Sequence, residues 1–332
     1  MVATRTLAGR EIYPIGFGAM NVSHCYQPRL PDEEGGRVLQ AALDLGYTHF
    51  DTAAIYGHGH NEALIGTYLS HRRDEMVLTS KCGIVKDPDT GKRGINNRTD
   101  LIQQSIDETL SLLKTDHLDM FYLHRWDKVT PIEDVVGEMG RLVEAGKVRT
   151  LGLSEVSAKT LRKAHATHPI SAVQSEYSLW TRNPEIAVLD ACREIAAAFV
   201  AFSPVARQFL TGKLTAVDHF CADDIRNTMP RFEADTYAEN LGLLTEYKTI
   251  ADEVGCSQAQ LALAWLLTRG EHVVPIPGTQ NIAHMEENFH AASVNLSQDT
   301  VSRLDGLINE KTVKGGRYNP TIQKQIDTEE FA

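Results

Sequence analysis

The chain has 332 residues, 42% hydrophobic and 23% charged, with a formal net charge of −11. That length suits one α/β barrel and can bury a large core, and the acidic balance argues against a nucleic-acid or anionic-membrane surface as the main partner. Five widely spaced cysteines, Cys25, Cys82, Cys192, Cys221 and Cys256, form no CxxC pair and read as reduced thiols, while no signal segment or long apolar run is visible. A soluble, cytoplasmic protein is expected.

Residues 4–14 read as two short strands around Ala8-Gly9, a hairpin, and 15–20 (IGFGAM) as a strand running into a turn. Residues 31–46 carry Val38, Leu39, Ala42 and Leu43 at helical spacing, with Asp32 as N-cap and Gly46 as stop. The stretch 49–66 (HFDTAAIYGHGHNEALIG) organises the rest. A strand ends at Asp51, a small-residue turn leads to Tyr56, and a helix follows with Asn61 as its cap.

Strands are then predicted at 76–81, 117–124, 147–154, within 170–178, at 199–204 and at 272–278. Helices are predicted at 100–113, 132–145, 157–167, 184–197, 236–254, 257–268, 281–291 and 299–310. Long loops separate them at 82–99 and 203–235, and the tail after Lys311 reads as polar and irregular. About eight strand–helix units, without a composition break, favour a single closed (β/α)8 barrel domain over 1–332, with an N-terminal β-hairpin and extra C-terminal helices. A doubly wound open sheet is the alternative, but the early glycines (GFGAMN) lack the GxGxxG dinucleotide pattern.

In a barrel, polar residues at the C-terminal ends of strands share one mouth. Here successive strands end in Asp51, Lys81 and His124, with Tyr56 in the loop after the first of these. Taken singly, Asp51 could be a helix cap, Tyr56 a packed aromatic, Lys81 a solvated strand end and His124 a core histidine. Together they suit proton transfer. An ammonium beside a phenol favours phenolate, a carboxylate holds the ammonium, and a neutral imidazole donates to a substrate oxygen. What such a set lacks is an electron pair, which a hydride carrier would supply. No metal site is expected.

The motifs GFGAMN (16–21), FDTAAIYGHGHNEALIG (50–66), LTSKCG (78–83), LHRWD (123–127) and GLSE (152–155) occur in order. So do VQSEYSL (173–179), FVAFSPVARQFLTGK (199–213) and VVPIPGTQNIAHMEEN (273–288). Through them the chain resembles the aldo-keto reductase superfamily over nearly its whole length. The resemblance implies NAD(P)H-dependent reduction of aldehydes and ketones, or oxidation of secondary alcohols in reverse, with Tyr56 as general acid/base in a tetrad with Asp51, Lys81 and His124. A regulatory, cofactor-binding subunit of the channel β-subunit type is the alternative within the same superfamily.

By the same resemblance, Ser154 and Gln174 hold the nicotinamide carboxamide with Glu155 beside them, and Phe202 stacks on the ring. Gly18, Met20 and Asp51 lie near it. Ser203, Val205, Arg207, Gly212 and Lys213 cross the pyrophosphate, while Gly278, Thr279, Gln280, His284, Glu287 and Asn288 meet the adenosine. Relatives often carry Lys or Arg where this chain has Gln280, Asn281 and His284, which weakens a 2′-phosphate site. NADP(H) is the expected cofactor and NAD(H) the alternative. Asn21, His24, Tyr26, His58, Trp126 and Trp180 are expected to line the pocket of a small organic carbonyl. The protein is expected to act as a monomer or small homo-oligomer.

Overall fold

The computed structural model describes residues 2–23, 26, 28–86, 93–222 and 224–331. Its centre is one sheet of eight parallel strands: β1 (Phe17–Gly18), β2 (His49–Asp51), β3 (Val77–Cys82), β4 (Leu118–Leu123), β5 (Val148–Ser154), β6 (Ile170–Glu176), β7 (Ala198–Phe202) and β8 (Val273–Pro275). Neighbours in the sheet are neighbours in the chain. The two edges meet: the Gly16 amide donates to the Pro275 carbonyl at 2.9 Å and the Gly18 amide to Pro277 at 3.1 Å. These bonds close the sheet into a barrel, and the open-sheet alternative falls.

Period-two alternation sorts each strand. Val77, Met120, Tyr122, Ala172, Ala198, Val200 and Val274 fill the barrel interior, joined by Leu7 and Ile12 of the N-terminal hairpin. That hairpin, Arg5–Leu7 paired with Arg10–Ile12, turns through Ala8 and Gly9, both at positive φ (52° and 72°), as a two-residue loop demands. The alternate residues Phe50, Leu78, Phe121, Leu123, Leu151, Leu153, Val173 and Phe199 pack outward against the helices. Gly152 admits the Tyr122 ring, since a Cβ there would lie 2.3 Å from it.

The helices depart from the sequence reading in instructive places. Asp32 is not a cap but the first residue of its helix (Asp32–Leu45), and its carboxylate accepts from His60 at 3.0 Å. Asn61 lies inside the helix His60–Leu69, whose cap is Gly59. The stretch expected as one helix at 236–254 breaks at Gly242 into Ala234–Leu241 and Leu243–Val254. The one expected at 184–197 shortens to Val188–Glu194 after a 3₁₀ turn at Asn183–Glu185, where Pro184 cannot sit inside a helix. The 82–99 loop contains a small antiparallel pair, Ile84–Lys86 with Arg93–Ile95. The 203–235 segment is a chain of short 3₁₀ turns, Ala206–Thr211, Ile225–Thr228 and Pro230–Phe232.

The tail is irregular, as expected, apart from a short helix Pro320–Gln323. It is not solvated throughout. Arg317, Tyr318 and Ile326 are buried against the barrel mouth. Among the described residues, no helix is long and apolar enough to cross a membrane.

Candidate active site

The alternation that fills the lower barrel with apolar side chains delivers a polar ring to the upper end. Asp51, Lys81, His124, Ser154 and Gln174 stand at the carboxyl ends of β2 to β6, all on the inward parity. The β2 loop folds over the end of β3 through bonds from the Thr52 amide to the Thr79 carbonyl (3.0 Å) and from the Ala54 amide to Lys81 (3.2 Å). This carries Tyr56 above Lys81. Three consecutive positive-φ residues, Gly57, His58 and Gly59, then turn the chain into the next helix.

Asn61 locks that loop. Its amide donates to the Ala19 carbonyl at 2.9 Å and to Ser23 Oγ at 2.8 Å, and its oxygen accepts from Thr52 Oγ1 at 2.6 Å. The residue expected to cap a helix instead ties the loops after β1 and β2 together.

Lys81 and Asp51 are an ion pair with almost no exposure, 1% and 2%. Lys81 Nζ also donates to the Thr52 carbonyl at 2.7 Å. The other carboxylate oxygen accepts from Thr79 Oγ1 at 2.9 Å and from Gln174 Nε2 at 2.8 Å. Every donor expected to hold a buried carboxylate is thus present. The ammonium lies 5.2 Å from the centre of the Tyr56 ring. The His124 imidazole meets the same ring edge-on, at 5.9 Å and 87°.

Burial lowers the Lys81 pKa, with Asp51 opposing the shift. Burial, reinforced by the positive charges of Arg125, Lys81 and Arg93, pushes His124 well below its ordinary value. His124 is therefore a neutral imidazole at neutral pH, able to donate one hydrogen bond to a substrate oxygen.

Grouped this way, the four side chains are chemically suited to moving a proton to or from an oxygen placed between Tyr56 and His124. They open into a long cleft. One end is walled by Tyr56, His124, Phe202, Tyr26 and Tyr318, and the other by Lys213, Gln280, Asn281 and His284. Gly18, Met20, Asn21, Asp51, Ser154, Gln174, Ser203, Val205, Arg207, Gly278, Thr279, Glu287 and Asn288 all line it. Lys81 lies behind the wall, covered by Asp51 and Tyr56.

Several expected residues lie elsewhere. Glu155 turns away from the cleft, and both its oxygens are taken by Arg317. Gly212 (φ +67°) stands off the cleft, where a Cβ would lie 2.0 Å from Gln258 Oε1. His58 is exposed. Trp126 donates from Nε1 to the Thr130 carbonyl at 2.7 Å and packs on the core, and Trp180 is buried in a stack on Phe209 at 4.2 Å. Neither tryptophan reaches the cleft wall. His24 lies outside the described residues.

Sequence reasoning missed Arg125, Gln208, Arg226 and Tyr318, which also line the cleft. Arg125 donates to the His124 carbonyl at 2.6 Å and to Ser154 Oγ at 3.1 Å. For Tyr318 a signal exists: Arg317-Tyr318 is an aromatic-cationic pair following Gly315-Gly316 in an otherwise polar tail.

A dinucleotide fits this donor set. Ser203, Ala206, Arg207 and Gln208 all adopt positive φ (50°, 52°, 53° and 84°), a clustering of strained backbone typical of ligand clamps and anion-binding concavities. At the far end the helix Ile282–His290 presents its N-terminus, capped by Asn281, with Lys213 Nζ 3.1 Å from His284 Nε2. Backbone amides and cations there suit phosphate groups.

A closed barrel with this tetrad and this cleft defines an oxidoreductase that interconverts carbonyls and alcohols. The family model described as the aldo/keto reductase family matches residues 14–309, and the chain belongs to that family. It is 41% identical to the Schizosaccharomyces pombe aldo-keto reductase yakc, whose name carries NADP(+), over 98% of this chain and 97% of that protein. It is 38% identical to the aldo-keto reductase str7 of Strobilurus tenacellus, over 99% and 98%. Among solved structures, a Klebsiella pneumoniae aldo/keto reductase in complex with NADP and acetate aligns with a TM-score of 0.72 at 25% identity, covering 96% of this chain and 99% of that one. The glycerol dehydrogenase of Gluconobacter oxydans shares the fold, with a TM-score of 0.85 over 96% and 98% at 24% identity. The chain is an NAD(P)H-dependent oxidoreductase that reduces aldehydes and ketones, or oxidises alcohols in reverse.

Proposed function

We propose that this enzyme is a cytoplasmic, single-domain carbonyl reductase that prefers NADP(H) and takes small organic aldehydes and ketones. One observation carries the cofactor preference. Gln280, Asn281 and His284 form a weak 2′-phosphate site by residue type, yet Lys213 places an ammonium against His284 at the same end of the cleft. Lys213, expected from sequence at the pyrophosphate, is assigned instead to the 2′-phosphate beside His284, so the cation usually supplied by the segment after β8 comes from the loop after β7. The name of the yakc relative and the ligand of the Klebsiella structure support the same preference.

Ser154 and Gln174 are assigned to the carboxamide, Phe202 to the ring face, and Ser203, Val205 and Arg207 to the pyrophosphate. Gly278, Thr279, Glu287 and Asn288 are assigned to the adenosine. The bound nicotinamide supplies or accepts the hydride. Tyr56 gives its proton to the carbonyl oxygen as that oxygen becomes an alkoxide, and the Lys81 ammonium favours the phenolate left behind. His124, held neutral, donates to the same oxygen and orients it. Asp51 fixes Lys81 and keeps it paired.

Substrate meets Asn21, Tyr26, Ile55, Tyr56 and Tyr318, a mix of aromatic and apolar surface with few polar groups that suits an organic carbonyl. The enzyme works as a monomer or small homo-oligomer. The test is absorbance decay of NADPH and of NADH against a panel of aldehydes and ketones, with alcohols and the oxidised cofactors as the reverse arm. Turnover with a clear NADPH preference is the expected result. Equal efficiency with both cofactors would remove the preference, and silence in all arms would remove the catalytic reading.

A further inference from the structure

Behind the Phe202 end of the cleft lies a buried cluster of two carboxylates and two guanidiniums: Glu155, Glu176, Arg207 and Arg317, exposed by 1%, 4%, 8% and 7%. Arg317 comes from the C-terminal tail. It grips both oxygens of Glu155 and reaches Glu176 at 3.2 Å. Arg207, from the loop after β7, donates to Glu176 at 2.7 Å, to Tyr318 Oη at 3.0 Å and to Tyr26 Oη at 2.7 Å. Both guanidiniums also approach the Phe202 ring, at 6.0 Å for Arg207 and 5.9 Å for Arg317.

Glu155 sits at an unusual place for a carboxylate. It follows Ser154, which lines the cleft, and its backbone is left-handed (φ 56°). The Glu155 carbonyl accepts from the Asp327 amide at 2.9 Å, so the tail holds this residue by main chain and side chain together. The four side chains balance two charges against two, and Arg231, linked to Glu176 through Thr181 Oγ1, adds a third guanidinium beside them. Removal of Arg317 leaves Glu155 without its ion partner immediately behind the residues assigned to the nicotinamide.

We propose that Arg317 is a positioning residue for the cofactor: it neutralises Glu155, holds that carboxylate out of the cleft and backs the Phe202 ring, so that the tail sets the electrostatic balance between oxidised and reduced nicotinamide. The proposal rests on the cofactor placement given above. The oxidised ring is a cation and the reduced ring is neutral. An uncompensated carboxylate nearby favours the oxidised form, and an uncompensated guanidinium favours the reduced form.

The experiment measures the dissociation constants of NADP⁺ and NADPH by fluorescence at alkaline pH, where a carboxylate released from its partner is ionised. Full-length wild type, Arg317→Met, Glu155→Gln and the double variant are compared. Arg317→Met should shift the ratio of the two constants about tenfold toward the oxidised cofactor. Glu155→Gln should shift it the opposite way, and the double variant should return within about twofold of wild type.

A merely structural anchor would weaken both cofactors alike, so an unmoved ratio in Glu155→Gln overturns the proposal even if Arg317→Met fails to fold. Shifts of the same sign in the two single variants also overturn it. Failure of the wild type to bind either cofactor would instead overturn the cofactor placement itself.

Discussion

Replacing Lys213 by Met removes one ammonium from the far end of the cleft and leaves a side chain of similar length. Lys213 is exposed, and its Nζ lies 3.1 Å from His284 Nε2, so its charge acts through water as much as through protein. Unit charges about 4 Å apart are worth ~1 kcal/mol in bulk water and ~4 kcal/mol near a protein surface. A 2′-phosphate carries nearly two charges, but Lys213 is well hydrated, so ~2 kcal/mol is a fair figure for an exposed contact. That corresponds to about thirtyfold in affinity. The assay is kcat/KM for NADPH and for NADH in wild type and Lys213→Met, at low and high salt. NADPH efficiency should fall by about thirtyfold while NADH is spared, and the difference should shrink as salt screens the pair. A ratio within about twofold of wild type, or an equal loss with NADH, would refute the reasoning.

Burial alone would raise the Glu176 pKa, but Arg207 and Arg317 override it and hold the carboxyl at about 2, below its ordinary 4.5. Because the folded value is the lower one, this group's stabilisation is full above pH 4.5 and is lost as pH falls toward about 2. Glu176→Gln should therefore lose ~3–5 kcal/mol at neutral pH, as an unmatched buried pair does. It should also show a flatter acid limb in urea unfolding, and parallel limbs would contradict the assignment. Asn61→Ala removes one side chain bonded to Thr52, Ala19 and Ser23 in a fully buried position. A cost of ~3 kcal/mol in urea unfolding is expected, since partners are left buried and unpaired. A loss below ~0.5 kcal/mol, the level of an ordinary surface change, would mean that the loops are held by other contacts.

Much of the barrel and the tetrad was legible because both obey one rule. Parity along a strand decides whether a residue faces inward, and inward positions near the carboxyl end of a strand are the ones that can reach the mouth. Asp51, Lys81, His124, Ser154 and Gln174 could be found from the strand ends alone, before any distance was known. Asn61 shows where the rule gives out. An Asn before an apolar helical stripe looks like a cap, but Gly59, at φ 84°, takes that position and frees the amide for a longer-range bond. Residue type cannot distinguish these roles.

Trp126 and Trp180 were misplaced for a related reason. Arg125, next to Trp126, does reach the cleft, but the Trp126 ring donates to the Thr130 carbonyl and packs on the core, and Trp180 is buried in a stack on Phe209. The tail hid the most. Nothing periodic marks 311–331, and its order comes from partners far away in sequence: Glu155 and Glu176 for Arg317, and Ser157 and Thr160 for Asp327. Non-local ion pairs leave no local pattern to read. The Lys213–His284 contact, which joins the loop after β7 to the helix after β8, is invisible for the same reason.

The central claim is that Tyr56 moves the proton while Lys81, Asp51 and His124 tune and position it. Single-turnover reduction of an aldehyde by wild type and Tyr56→Phe, with cofactor binding measured separately, tests it most directly. Loss of about 10²–10⁴-fold in the reduction step, with cofactor affinity kept within about twofold, is the predicted result. A Tyr56→Phe enzyme that reduces the aldehyde at the wild-type rate would contradict the account.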